Sequence, residues 1–85
     1  MDLKENARIY LLDQALNDLE KNGIYWIGSI SRNQRGYLVE LLEEYGYKVH
    51  MNEVPPHWEY AFYTSEFSYD DILKLAQQRA KESGF

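Results

Sequence analysis

The chain is 85 residues long, 45% hydrophobic and 15% aromatic, with a formal net charge of −5 and no cysteine. That length makes one small domain spanning residues 1–85, and the aromatic load excludes a disordered chain. The missing cysteine excludes disulfides, thiolate metal ligands and cysteine nucleophiles together. The negative balance weighs against general binding to nucleic acid or anionic membranes.

A secreted domain of this size usually needs covalent staples, so a cytoplasmic location is expected. The opening Met-Asp-Leu-Lys-Glu-Asn lacks the apolar region of a secretory leader. No run approaches the roughly 18 apolar residues of a membrane span, so no membrane association is expected.

Residues 2–22 read as a first helix. Asp2 caps it and Glu5, three residues on, closes a capping box. Ile9, Leu12, Leu16 and Leu19 form one apolar stripe, widened by Leu11 and Ala15. Asn22-Gly23 supplies a left-handed stop. Residues 24–30 read as a first strand with partly apolar faces, the pattern of a strand covered on both sides, or on one side by a helix and on the other by aromatic edges.

Ser31 opens a second helix, with Gln34 completing a second capping box. Leu38, Leu41, Leu42 and Tyr45 keep the helical period, and Gly46 ends it. Residues 47–53 and 58–64 form a hairpin joined by Val54-Pro55-Pro56-His57, because two prolines cannot continue a paired strand. Pairing Glu53 with Trp58 places Tyr47, Val49, Met51, Trp58, Tyr60 and Phe62 on one face. Lys48, His50, Asn52, Glu59, Ala61 and Tyr63 share the other. A third helix starts at Ser68, capped with Asp71, and carries Ile72, Leu75, Ala76 and Ala80 as its stripe.

The expected fold is therefore α+β, in the order α-β-α-β-β-α, with a three-stranded mixed sheet packed with three helices. The third strand lies either outside the second or between the first two. Its apolar inner face favours the central position, a split βαβ or ferredoxin-like half-motif.

Two clusters are candidates for function. Ser31, Arg32, Asn33, Gln34 and Arg35 sit at a helix start, where free backbone N–H groups favour anions. Arg, Asn and Ser also read phosphates and base edges. The second cluster follows from charge. Residues 49–73 hold five acids and no Lys or Arg, whereas residues 21–39 hold three cations and no acid. Within the acidic stretch, Glu59, Tyr63, Glu66, Phe67 and Tyr69 are the candidate partner-binding residues, since exposed aromatics anchor protein interfaces.

No nucleophile, base and orienting group can be assembled. His50 and His57 lack the converging ligands of a zinc site, and no cofactor is expected. The expectation is a small non-enzymatic interaction module, an accessory regulator or inhibitor of a larger protein partner, with a phage or bacterial origin suggested by size alone. The alternative is nucleic-acid or phosphate binding through Ser31, Arg32, Asn33 and Arg35. An uncovered edge on the first or second strand would also permit a homodimer.

Overall fold

A computed structural model describes residues 3–83. The order is α1 (Leu3–Tyr10), α2 (Leu12–Asn22), β1 (Ile24–Ile27), α3 (Arg32–Glu44), β2 (Val49–Val54), β3 (Glu59–Thr64) and α4 (Tyr69–Glu82). The fold is α+β, with four helices and a sheet of strand order β1-β3-β2.

β3 is central, and both of its seams are antiparallel. This corrects the expected mixed sheet. β1 and β2 run in the same direction, but β3 separates them, so no parallel ladder forms.

The expected first helix is two. Leu11 adopts φ −117° and ψ −34°, yet its N–H still reaches the Ala7 carbonyl at 3.0 Å, and its own carbonyl accepts from Ala15 at 3.0 Å. The bend shifts the phase of the apolar stripe. Ala7, Leu12, Ala15 and Leu19 are buried, while Ile9 turns outward. The proposed Asp2 cap lies outside the described residues.

Gly23, at φ +76°, ends α2 by donating to the Leu19 carbonyl at 2.9 Å. A side chain there is excluded twice over. The left-handed backbone disfavours it, and a Cβ atom would sit 2.8 Å from Phe67.

α3 starts as expected at Ser31, whose Oγ accepts from the Gln34 N–H at 3.2 Å. The reciprocal half of the capping box does not form. The Gln34 side chain meets Ser31 Oγ, which donates to Gln34 Oε1 at 3.3 Å, rather than the Ser31 N–H. At the far end Gly46 takes φ +88°. The Tyr47 N–H reaches Leu42, and the Gly46 N–H reaches Glu43, each at 3.0 Å. These two bonds satisfy the last carbonyls as a Schellman motif. α4 carries the full reciprocal box between Ser68 and Asp71, at 3.2 and 2.9 Å.

The residues that stay in the strands keep the expected faces but not the expected pairs, and Tyr47, Lys48 and Trp58 fall outside the strands. Glu53 faces Tyr60, Met51 faces Phe62 and Val49 faces Thr64. That is a slip of two residues, which preserves side-chain parity. β2 therefore starts at Val49 and runs on to Val54. β1 also stops earlier than expected, at Ile27.

Both faces of the sheet are covered. Tyr25 and Phe62 pack with Ala7, Leu12, Leu19, Leu38, Leu41 and Leu42 on the side of α1, α2 and α3. Ile24, Val54, Ala61 and Tyr63 pack with Ile72 and Ala76 of α4 on the other. No helix among the described residues is long and apolar enough to cross a membrane.

Candidate functional site

β3 divides the predicted partner-binding residues between its two ends. Glu59 begins the strand, and Tyr63 lies near its other end, followed by Glu66, Phe67 and Tyr69 in the turn and α4. Six extended residues span about 17 Å, so Glu59 does not join the others in one cluster.

Tyr63 was expected as an exposed anchor, and that is corrected. It is 4% exposed because α4 covers it with Ile72 and Ala76. Its hydroxyl donates to Asn52 Oδ1, and the His50 ring lies 5.6 Å away. Burial first, and then Tyr69, push the Tyr63 hydroxyl pKa above the ordinary phenol range. Phe67 is half-buried and packs with the α4-side core. Glu66 and Tyr69 are exposed, and Glu66 accepts from Thr64 Oγ1 at 3.1 Å.

Glu59 is held in place rather than presented. Arg79 of α4 donates to both its carboxylate oxygens, from Nε at 3.1 Å and Nη2 at 3.2 Å. The same guanidinium lies 4.4 Å over the Trp26 ring. Such a forked pair with a stacked ring is a geometry that arginine makes and lysine does not.

The Ser31–Arg35 turn is partly committed in the same way. Arg35 lies 4.5 Å over the Tyr60 ring and donates to the Ile30 carbonyl at 3.5 Å. The Ser31 hydroxyl is used in the cap. Arg32 and Asn33 are exposed.

Trp58, like Tyr63, is misplaced by sequence reasoning. The hairpin slip moves it out of the strand, so it does not join Tyr60 and Phe62 on a packed face. It closes the Pro55-Pro56-His57-Trp58 loop at φ +56°, the one non-glycine residue with positive φ among those described. It is also 58% exposed. A left-handed backbone costs an L-residue roughly 1–2 kcal/mol, and glycine or asparagine is the usual solution. Counting Val54 as a strand residue would have exposed this. The loop then holds four residues, and the last of them must turn the chain back into β3.

Ile9, Tyr10 and Tyr69 are exposed as well, but they sit in helices with ordinary backbone, and single exposed hydrophobics are normal. Two hollows border α4, one beside β1 and one at the hairpin-loop end of β3. One of about 530 Å3 is lined by the apolar Ile24, Trp26, Phe67 and Leu75 and the polar Asp18, Asn22 and Arg79. The other, of about 470 Å3, lies between His57, Glu59, Arg79, Glu82 and Ser83. No three His, Asp or Glu side chains converge as a metal site among the described residues.

Comparison with protein-family models, curated proteins and solved structures gives no match, so local geometry carries the functional argument.

Proposed function

We propose that the chain is a small protein-interaction module that docks on a larger protein through its hairpin tip, acting as an accessory regulator or inhibitor. The observation that carries this reading is Trp58: a large aromatic, mostly exposed, held in a backbone conformation that local energetics assign to glycine. Residues kept in such conformations cluster at functional sites. Neighbouring Pro55 and Pro56 restrict the loop before binding, which lowers the ordering cost of association. Tryptophan is among the side chains most enriched at interface hot spots.

The anion alternative has less support. It needs both arginines of the α3 start, and Arg35 is already occupied by Tyr60 and the Ile30 carbonyl.

The test is affinity capture from the native host with the wild-type chain and the Trp58→Gly variant, each with and without nuclease. Glycine relieves the left-handed backbone, so the variant should melt at the same temperature or higher. The expected result is a nuclease-resistant protein partner that is lost with Trp58→Gly despite the intact fold. Undiminished capture by the variant, or a partner released by nuclease, overturns the reading.

A further inference from the structure

The two edges of the sheet differ in what they leave free. Thr64 donates to the Gly23 carbonyl at 3.1 Å, which fixes the alternation of the β1–β3 ladder. Residues 25 and 27 bond inward to β3, so the backbone groups of Ile24 and Trp26 face away from it. On the opposite side, β3 then turns Glu59, Ala61 and Tyr63 toward β2. Their partners are Val54, Asn52 and His50, which leaves the backbone groups of Val49, Met51 and Glu53 facing outward.

The β1 edge offers less: only Ile24 and Trp26 face outward, against three residues on β2, and Trp26 is half-buried. Ile24 is only 5% exposed, and Asp18 and Asn22 of α2 border the groove beside it. The β2 edge is open: Val49 and Met51 are half-buried and Glu53 is exposed. An open edge is a template for another strand.

We propose that two copies of this chain pair antiparallel along β2, about a two-fold axis through Met51, giving one six-stranded sheet. Only outward-facing residues can exchange backbone bonds across this edge. Centring on Met51 pairs Val49 with Glu53 of the second copy, Met51 with Met51, and Glu53 with Val49, so all three outward residues are used. In the same register His50 faces Asn52 and Lys48 faces Val54. No like charges lie opposite one another, and an imidazole meets a carboxamide.

The neighbouring registers are worse. A slip of two in one direction puts Val49 opposite Pro55, which has no N–H to give. A slip of two in the other direction puts Glu53 opposite Tyr47, which lies outside β2, so only two of the three outward residues are used. A homodimer is therefore favoured over pairing with an arbitrary extended peptide, because this one edge is complementary to itself in charge and in register. The proposal is independent of the hairpin-tip reading.

Sedimentation equilibrium on the full chain tests it, across concentrations up to about 1 mM, which reaches weak association. The expected result is a concentration-dependent species of twice the 10.1 kDa chain mass. Met51→Lys places two ammonium groups opposite each other at a half-buried position and should weaken the dimer at least about tenfold, with the folded circular dichroism spectrum kept. Because the chain has no cysteine, Met51→Cys gives a second measurement that survives a failure of the lysine variant to fold. A directly opposed pair at about 5.5 Å between Cα atoms is within disulfide reach, so mild oxidation should yield a covalent dimer. Ser29→Cys, beside the β1 edge, should yield far less. A monomer at every concentration, Met51→Lys dimerising as tightly as wild type, or equal cross-linking at both cysteines overturns the proposal.

Discussion

On the face covered by α1, α2 and α3, the side chains of Phe62, Leu38, Leu41 and Leu42 are wholly buried. On the α4 face the largest such side chains are Ile72 and Val54, and the helix meets the sheet through Ala76 and Ala61. The first face is held by apolar volume. The second compensates with polar devices: the Ser68–Asp71 box, the Tyr63–Asn52 hydrogen bond and the Arg79–Glu59 pair. One small sheet thus shows two solutions to the same packing problem, and they should fail differently.

Core truncation is the largest way to break this contrast. Phe62→Ala should cost about 3–5 kcal/mol, and Ile72→Ala should lie lower, at about 2–4 kcal/mol. The first value approaches the whole stability of a domain this small, so Phe62→Ala should be largely unfolded at 37 °C. Urea unfolding followed by circular dichroism measures both. Equal losses would mean that the α4 face carries as much apolar stabilisation as the other.

The helix caps come next. Ser68→Ala removes a hydrogen bond from a reciprocal box and should cost about 1 kcal/mol. Ser31→Ala removes a one-sided cap and should cost less. A larger loss at Ser31 than at Ser68 would show that the missing half of its box forms in solution.

What could be read from the sequence tracks what is local. The helix starts at Ser31 and Ser68, the stops at Gly23 and Gly46, and the central place of β3 all follow from short-range chemistry or from one strand's apolarity. The parity of the hairpin faces was legible too, because a period of two survives a slip of two. The register itself was not. Both offsets bury the same alternating set, and what distinguishes them is loop closure, which hangs on the backbone of Trp58. Tyr63 was misplaced for a similar reason. Its strand position gives its face, but only the docking of α4, through a thin stripe of Ile72 and Ala76, decides that this face is closed. The break at Leu11 was not legible either, since the apolar residues from Leu3 to Leu19 suit one helix as well as two.

Acid and alkali sharpen the comparison without mutation. Asp71 has its carboxyl pKa lowered, first by the Ser68 backbone hydrogen bond and then by the Ser68 side chain. Because the folded value lies below the unfolded one, its contribution is complete above about pH 4 and is lost as pH falls through the folded value. Asp71→Asn should therefore flatten the acid limb of a pH–stability curve. Tyr25 and Tyr63, one on each face, both have raised hydroxyl values, chiefly from burial. For a raised value the sign reverses. Their contribution is complete below about pH 10 and is lost as pH rises through the folded values. Replacing Tyr25 or Tyr63 by Phe should flatten the alkaline limb, and an unchanged limb would assign it elsewhere.

The smallest effect tests the feature the two faces share. At the hairpin end each is closed by an arginine over an aromatic ring, Arg35 on Tyr60 and Arg79 on Trp26. Lysine keeps the charge but loses the planar stack and the fork. Arg79 also pairs with Glu59, whose side chain is only 14% exposed, whereas its own is 43% exposed. Solvent screening limits such a pair to about 1 kcal/mol or less, and a stack at a partly exposed site is worth about 0.5–1 kcal/mol. Arg79→Lys should therefore cost more than Arg35→Lys, though each loss stays near 1 kcal/mol. A double-mutant cycle of Arg79→Lys with Glu59→Gln isolates the ionic part, which should shrink as salt rises. If the Arg79 loss is unchanged at high salt and in the Glu59→Gln background, the stack on Trp26 closes the α4 face by itself, and the two ends are equivalent.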